Sequence, residues 1–251
     1  MSLLIIDIGN TNVKCGLWDG AAWRRVWRAQ TMPDNLADDY MVFVRDFVRG
    51  ESLHGMAISS VVPSLTAAFV ELGRRHLGLE PFIVSARGKT GLRITLDQPE
   101  QVGSDRLANA AAVAALYGSP AIAVDLGTAT KFEAVGRGGV YQGGAIAPGI
   151  TLARDALSSR APLLPQVEIA PPSNPIGTNT IDAVQSGTFW GYVSLVESMI
   201  KRMKRALGED EVRVVATGGL TPLISPYVPL IDVYVAELTL IGIRIIYEFN
   251  R

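Results

Sequence analysis

Cysteine and histidine are scarce in this sequence: its 251 residues include one cysteine and two histidines. A single cysteine cannot form a disulfide within the chain. Cys15 lies in an apolar strand pattern, so we expect a buried structural thiol. His54 and His76 have no partner at zinc-ligand spacing, and we interpret both as ordinary surface or loop residues.

The chain also lacks an excess of charge of one sign. Its net charge is −1 and no long basic stripe is present, which argues against nucleic acid as the main ligand. The segment 107–124 carries no charge and has the length of a membrane span, but Asn109 and Gly118-Ser119-Pro120 interrupt it. We expect a helix, a turn and a buried strand there. Asp7 ends the N-terminal apolar run too early for a signal peptide, so we expect a cytoplasmic protein without a membrane segment.

Hydrophobic residues are abundant, at 48% against 19% charged residues, which is enough for a sizeable core. Strand and helix patterns alternate along the first half. Asp34 or Asn35 is predicted to cap a helix that runs to Val48, Gly55–Val62 reads as a buried strand, and Pro63 begins another helix. This alternation predicts a layered α/β fold.

Two segments about half a chain apart share one pattern. An apolar strand ends at Asp7, a Gly9-Asn10-Thr11-Asn12 turn follows, and Val13 begins a returning strand. A second apolar strand ends at Asp125 and is followed by Gly127 and Thr128. Such hairpins can offer backbone N–H groups to phosphate while the carboxylate faces a cation. The repeat predicts a duplicated domain with a nucleotide held between the halves.

A third segment, Gly103-Ser104-Asp105-Arg106, comes directly before an alanine-rich helix. Asp105 in the first helical turn can simply offset the helix macrodipole. It can also accept a proton from a substrate hydroxyl, while Arg106 pairs with a substrate carboxylate. The residues alone leave both interpretations open.

With its two hairpins, the sequence resembles the superfamily of actin, sugar kinases and heat-shock-chaperone ATPases. Within it, the segments Ile58–Pro63, Gly103–Arg106 and Gly143–Ile150 resemble the type III pantothenate kinases. The resemblance implies two RNase H-like (actin-like) α/β domains, residues 1–117 and 118–251, with the active site in a central cleft. It implies ATP-dependent phosphorylation of pantothenate to 4′-phosphopantothenate, the first step of coenzyme A synthesis, by a homodimer that builds its pantothenate pocket between subunits.

The resemblance also assigns roles to residues. Asp105 is the implied general base, and Asp125 is implied to bind a monovalent cation, K⁺ or NH₄⁺. Mg²⁺ is implied at the phosphate end of ATP. The implied pantothenate-binding residues are Gly103, Ser104, Asp105, Arg106 and Thr180. The implied ATP-binding residues are Asp7, Ile8, Gly9, Asn10, Thr11, Asn12, Val13, Lys14 and Thr128.

Three residues depart from the family pattern. Leu96 stands where an aromatic residue, usually tyrosine, is expected, Lys131 where threonine is usual, and Glu133 where aspartate is usual. Lys131 could compete with a monovalent cation for the same negative potential. Two other functions stay open: a different small-molecule kinase of this superfamily, and a non-enzymatic ATP-binding regulator. The intact Gly103–Arg106 segment argues against the regulator, because a binding protein needs no general base.

Overall fold

The N-terminal apolar run forms the central strand of a five-stranded sheet in the computed structural model, which describes residues 1–209 and 211–251. The chain divides into two units, the first formed by Met1–Leu116 with Glu237–Arg251, the second by Tyr117–Ala236. The predicted second domain ran to residue 251. The last helix belongs instead with the first unit, because its apolar face packs on strands there.

The elements of the first unit are β1 (Ser2–Ile8), β2 (Asn12–Trp18), β3 (Trp23–Gln30), α1 (Ala37–Phe47), β4 (Leu53–Ser60), α2 (Pro63–His76), β5 (Phe82–Ile83), β6 (Arg93–Ile94), a 3₁₀ turn (Pro99–Gln101) and α3 (Ser104–Tyr117), which ends at the boundary between the units.

The second unit contains a similar series of elements, and the closing helix α7 then returns to the first unit. These elements are β7 (Ala121–Leu126), β8 (Ala129–Gly136), β9 (Val140–Pro148), α4 (Ile150–Arg160), α5 (Thr180–Leu207), β10 (Arg213–Thr217), α6 (Thr221–Ile224), a 3₁₀ turn (Ser225–Tyr227), β11 (Val233–Tyr234) and α7 (Leu238–Phe249).

The two units repeat one strand order. In the first unit the order is β3-β2-β1-β4-β5, and the strands of the second unit follow the order β9-β8-β7-β10-β11. In each case the first three strands form an antiparallel meander, and the fourth and fifth strands run parallel to the first. The parallel strands follow helical crossovers, as such connections require. This repetition confirms the predicted fold class of duplicated α/β domains.

Residues 3–6 of strand β1 are all apolar, which fits a strand with both of its faces covered. Leu4, Ile6 and Ile8 belong to the core formed with α1 and α2. Leu3 and Ile5 point to the opposite face and are equally buried, and α7 packs against β1 and β4. In the second unit, β7 packs on the apolar side of α5.

One helix start differs from its prediction. Helix α1 begins at Ala37, with Leu36 rather than Asp34 or Asn35 in the N-cap position. The N–H of Leu36 donates a hydrogen bond to Asp39 Oδ2 at 2.9 Å. The Asp39 carboxylate, at the third position of the helix, therefore caps the helix start, a role that was predicted for Asp34 or Asn35.

The uncharged segment 107–124 forms the predicted helix, turn and strand, since it contains most of α3, a turn and most of β7. Within residues 1–209 and 211–251, no helix is both long and apolar enough to cross a membrane.

Candidate active site

The first hairpin has an exposed turn between two largely buried strands. Gly9 N–H donates to the Asn12 carbonyl at 3.0 Å and closes the turn, and Asn10, Thr11 and Asn12 are exposed. Thr31, directly after β3, braces the turn: its Oγ1 donates to the Gly9 carbonyl at 2.6 Å and its N–H to the Thr11 carbonyl at 2.9 Å. The turn can therefore offer backbone and hydroxyl groups to an anion in a fixed geometry.

Asp7 lies beneath this turn, opposite Lys14 on β2 and beside Ser59 on β4. The Ser59 hydroxyl donates to Asp7 Oδ1 at 2.9 Å. Cys15 is fully buried nearby, and burial, with a smaller contribution from the Asp7 carboxylate, raises the pKa of its thiol well above the ordinary range. The sequence-based expectation of a buried thiol is confirmed.

The second hairpin repeats this arrangement with different partners. Asp125 lies opposite Lys131 on β8 and beside Thr217 on β10, the positions that Lys14 and Ser59 occupy around Asp7. Lys131 Nζ donates to Asp125 Oδ2 at 3.0 Å. Thr217 Oγ1 instead points to the Ala236 carbonyl at 3.5 Å.

Glycines let other segments approach the second hairpin closely. Gly149 N–H donates to the Thr128 carbonyl at 3.1 Å, and a Cβ on Gly149 would overlap the carbonyls of Gly127 and Thr128. Gly218 has φ +94°, and a Cβ there would lie 2.7 Å from Asp125 Oδ1. Thr128 itself is exposed at the turn. Glycine is required at positions 149 and 218 because neighbouring atoms lie too close for a Cβ, and the local sequence did not predict this.

Two buried side chains on β8 have polar partners within the second unit. Thr130 and Tyr192 share a hydrogen bond of 2.7 Å between their hydroxyls, and burial raises the pKa of Tyr192 to about 12. Glu133 is 1% exposed and accepts a hydrogen bond from the Tyr141 hydroxyl. The glutamate that departs from the family pattern is thus a buried, hydrogen-bonded group.

Helix α3 begins at Ser104, which places Asp105 and Arg106 in its first turn as predicted. Asp105 is only 8% exposed, and its Oδ1 accepts a hydrogen bond from Arg106 N–H at 2.9 Å. A Cβ on Gly103 would lie 2.6 Å from Asp105 Oδ1, so the glycine leaves room for this carboxylate. Ser104 is also buried, and its hydroxyl points into the first unit rather than to solvent.

Thr180 lies in the second unit, in an open groove of about 620 Å³. It is exposed at the start of α5, and Asn179 provides the cap by accepting a hydrogen bond from Asp182 N–H at 3.0 Å. The groove is lined by Leu157, Leu164, Gly177, Thr178, Asn179, Thr180, Ala183, Val184, Gly187 and Thr188. The Gly103–Arg106 segment, which was predicted to bind the same substrate, belongs to the first unit.

The sequence did not identify Ser59 as part of a site, although it lies in the quoted block Ile58–Pro63. The available signal was a pair of hydroxyl residues, Ser59 and Ser60, at the carboxyl end of a buried parallel strand. That edge is where open α/β sheets place their ligands. Among residues 1–209 and 211–251, no three His, Cys, Asp or Glu side chains form a group that could hold a metal ion.

Solved structures share this fold at low sequence identity. A Campylobacter jejuni protein, proposed to be a Baf family transcriptional activator, matches with a TM-score of 0.61 at 19% identity, over 98% of this chain and 97% of its own. A Sinorhizobium meliloti protein, proposed to be a 2-dehydro-3-deoxygalactonokinase, matches with a TM-score of 0.57 at 14% identity, over 98% and 96%. The fold is that of sugar kinases and actin-like ATPases.

Sequence comparison defines the family within that fold. Residues 3–202 match the family model of type III pantothenate kinase. The type III pantothenate kinase of Thermomicrobium roseum is 46% identical over 98% of this chain and 96% of its own length. That of Moorella thermoacetica is 44% identical over 99% of both chains. The chain belongs to the type III pantothenate kinase family.

Proposed function

We propose that the chain transfers the γ-phosphoryl group of ATP to the primary hydroxyl of pantothenate. The product is 4′-phosphopantothenate, and the reaction is the first step of coenzyme A synthesis, which we place in the cytoplasm. The observation that carries this proposal is the family match over nearly the whole chain, with Gly103–Arg106 intact at the start of α3.

Phosphoryl transfer needs alignment and charge neutralisation more than covalent chemistry by the protein. Residues 7–14 supply the first part of the nucleotide site, where the exposed Asn10–Asn12 turn faces phosphate with backbone N–H groups and the Thr11 hydroxyl. Lys14 adds a positive charge at the end of the same hairpin. Thr128, exposed at the turn of the second hairpin, is the second phosphate contact.

Asp7 fits a magnesium ion that arrives with ATP. Mg²⁺ is commonly held by one or two carboxylates with phosphate oxygens and water completing the shell, so a single carboxylate near a phosphate-binding turn is a suitable donor set. When bound, the ion neutralises charge on the phosphates. Ser59 keeps one oxygen of Asp7 in a fixed direction through its 2.9 Å hydrogen bond.

Asp105 is the proposed general base. It orients the pantothenate hydroxyl and takes its proton as the phosphoryl group is transferred, while Arg106 pairs with the pantothenate carboxylate. The hydrogen bond from Arg106 N–H fixes Asp105 Oδ1 and supports a set orientation of the carboxylate. Thr180, in the groove of the second unit, is the further pantothenate contact.

The residues around Asp125 do not fit the monovalent cation that the family resemblance implies. Lys131 Nζ lies 3.0 Å from Asp125 Oδ2, so an ammonium group already supplies a positive charge at that carboxylate. We therefore propose that Lys131 supplies the positive charge at Asp125 and that this chain needs neither K⁺ nor NH₄⁺ there.

We also propose a homodimer. Three large apolar side chains next in the chain to lining residues of the Thr180 groove are exposed: Leu163 is 94% exposed, Ile176 76% and Ile181 57%. Exposed apolar side chains gathered around a groove mark interaction surfaces. The family resemblance implies a pantothenate pocket built between subunits. A second copy of the chain is therefore the partner that we expect at this groove.

Mass spectrometry tests the proposed reaction directly. The protein is incubated with Mg²⁺–ATP and, in separate reactions, pantothenate, a set of sugars and a set of short hydroxy acids. We expect an ATP-dependent mass increase of one phosphoryl group with pantothenate. Phosphorylation of a sugar or another acid in its place would identify a different small-molecule kinase, and ATP binding without any transfer would identify a regulator.

A further inference from the structure

Two serines join the functional segments of the first unit. Ser59, at the end of β4, is fully buried, and its hydroxyl lies 2.9 Å from Asp7 Oδ1 and 3.1 Å from Ser104 Oγ. Ser104 is the first residue of α3, and its Oγ accepts a hydrogen bond from Ser60 N–H at 2.8 Å. A continuous series of hydrogen bonds therefore runs from Asp7 to the residue directly before Asp105.

The direction of this series follows from counting protons. Each serine hydroxyl has one proton, and an ionised carboxylate can only accept. The Ser59 hydroxyl therefore donates its hydrogen bond to Asp7, and the Ser59 oxygen can accept one from the Ser104 hydroxyl. The Ser60 carbonyl, 3.1 Å from Ser104 Oγ, is the alternative acceptor for that proton. Charge on Asp7 thus orients the Ser59 hydroxyl and leaves the Ser59 oxygen as one of two acceptors for the Ser104 hydroxyl.

We propose that Ser59 and Ser104 are positioning residues that hold the Asp7 carboxylate and the start of α3 in one rigid arrangement. This inference rests on the proposed roles of Asp7 at the nucleotide and Asp105 at the acceptor hydroxyl. It also changes the role of Ser104. Its buried hydroxyl is bonded to the backbone and side chain of β4, so it orients its neighbour Asp105 instead of contacting pantothenate.

Steady-state kinetics of Ser59→Ala and Ser104→Ala test the proposal. The matched control is Ser2→Ala, because Ser2 is also buried, lies on β1 like Asp7, and donates to the Glu51 carboxylate at 3.1 Å far from the turn. Loss of a hydrogen-bonding partner behind a functional group commonly costs about 10–100-fold in activity or metal affinity. We expect Ser59→Ala to raise the KM for Mg²⁺–ATP by about tenfold. Ser104→Ala should lower kcat by about tenfold with the KM for ATP nearly unchanged.

A conservative variant separates the hydroxyl from the packing. Ser59→Thr keeps a hydroxyl at this position, and a threonine stands at the corresponding register position of the second unit, where the Thr217 hydroxyl points to the Ala236 carbonyl. We expect Ser59→Thr to keep the KM for ATP within about threefold of wild type. Melting temperatures of all variants identify any loss of activity that comes from reduced stability alone. A positioning role predicts an effect on KM in one alanine variant and on kcat in the other, which a general loss of stability does not.

The result that overturns the proposal is a wild-type enzyme that phosphorylates pantothenate while both alanine variants match Ser2→Ala in kcat and KM. If wild type phosphorylates nothing, the proposed function fails, and calorimetric titration with Mg²⁺–ATP then decides for Ser59. Weaker binding by Ser59→Ala than by Ser2→Ala supports the positioning of Asp7, and equal binding removes it. If Ser59→Ala does not fold, Ser104→Ala and Ser59→Thr decide by the same kinetic criteria.

Discussion

Lys131 donates from Nζ to Asp125 Oδ2 at 3.0 Å, directly across the β7–β8 hairpin. Residues opposite each other on antiparallel strands share one face of the sheet, so the hairpin register itself brings ammonium and carboxylate together. The first hairpin has the same register, with Lys14 opposite Asp7. Both side chains of the Asp125–Lys131 pair are mostly buried, at 16% and 22% exposure, which makes this ion pair less screened than one on the surface.

The first prediction concerns monovalent cations. We expect wild-type activity and melting temperature to be the same in KCl and NaCl at equal ionic strength, because the Lys131 ammonium already neutralises Asp125. Lys131→Thr should become activated and thermally stabilised by K⁺ relative to Na⁺. The control is Lys89→Thr at an exposed lysine of the first unit. Activation of wild type by K⁺ over Na⁺ would show that the ion binds despite Lys131.

The second prediction concerns the oligomer. Light scattering at micromolar concentration should give twice the mass of one chain. Leu163→Asp and Ile176→Asp each place a charge among the exposed apolar side chains near the Thr180 groove and should shift the mass toward the monomer. Leu36→Asp changes an equally large side chain, 70% exposed, in the first unit and should leave the mass unchanged. A wild type that is active and monomeric contradicts the proposed dimer.

The fold was predictable from the sequence where the signal is local. The hairpins at Asp7 and Asp125 follow from apolar runs that end in a carboxylate and a glycine turn, and the first turn of α3 follows from Gly103–Arg106. These features depend on neighbours in the chain.

The remainder depended on contacts between distant segments. Ser59 and Ser104 are far apart in the sequence, and only the parallel pairing of β1 with β4 brings Ser59 beside Asp7. The placement of α7 on the first unit likewise depends on which sheet covers its apolar face. The contact of Lys131 with Asp125 required the hairpin register, since a one-residue slip would put the two side chains on opposite faces.

The third prediction separates two reasons for glycine at position 218. Gly218 has φ +94°, and a Cβ there would lie 2.5 Å from the Leu126 carbonyl oxygen and 2.7 Å from Asp125 Oδ1. Gly138 has φ +72° but open space around it, so Gly138→Ala isolates the backbone cost. We expect Gly138→Ala to lower the free energy of unfolding by about 1 kcal/mol. Gly218→Ala should lower it by at least about 2 kcal/mol, because overpacking adds to strain. Equal losses in denaturant titrations would mean that the close approach to Asp125 contributes nothing.

The fourth prediction concerns Cys15. Its thiol is fully buried and its pKa is raised, so the native protein should not react with a thiol reagent between about pH 7 and 9, whereas the chain in denaturant should react at one site. Above about pH 8.5 the unfolded chain ionises this thiol and the folded chain does not, so the contribution of Cys15 to stability falls as pH rises. Cys15→Ala should remove that part of the pH dependence. Fast labelling of the native protein would contradict the buried thiol.

The fifth prediction distinguishes a general base from a residue that only stabilises a helix start. Asp105→Asn keeps the Oδ1 acceptor for Arg106 N–H, but removes the negative charge and the proton acceptor. General-base assistance is commonly worth about 10²–10⁴-fold in rate, so kcat should fall by about two orders of magnitude or more while Mg²⁺–ATP binding stays nearly unchanged. Arg106→Ala should chiefly raise the KM for pantothenate, because it removes the partner of the substrate carboxylate.

Asp39→Asn is the matched control for Asp105→Asn. Asp39 also lies in the first turn of a helix and also accepts a backbone N–H, from Leu36 at 2.9 Å, but it is outside the proposed site. Both substitutions remove a charge that interacts favourably with a helix macrodipole, at a cost of about 0.3–1 kcal/mol in stability. Similar losses of melting temperature in the two variants, with a fall in kcat only for Asp105→Asn, would assign proton transfer to Asp105. If Asp105→Asn turns over within about fivefold of wild type, its charge serves the helix alone, and the proton must leave by another route.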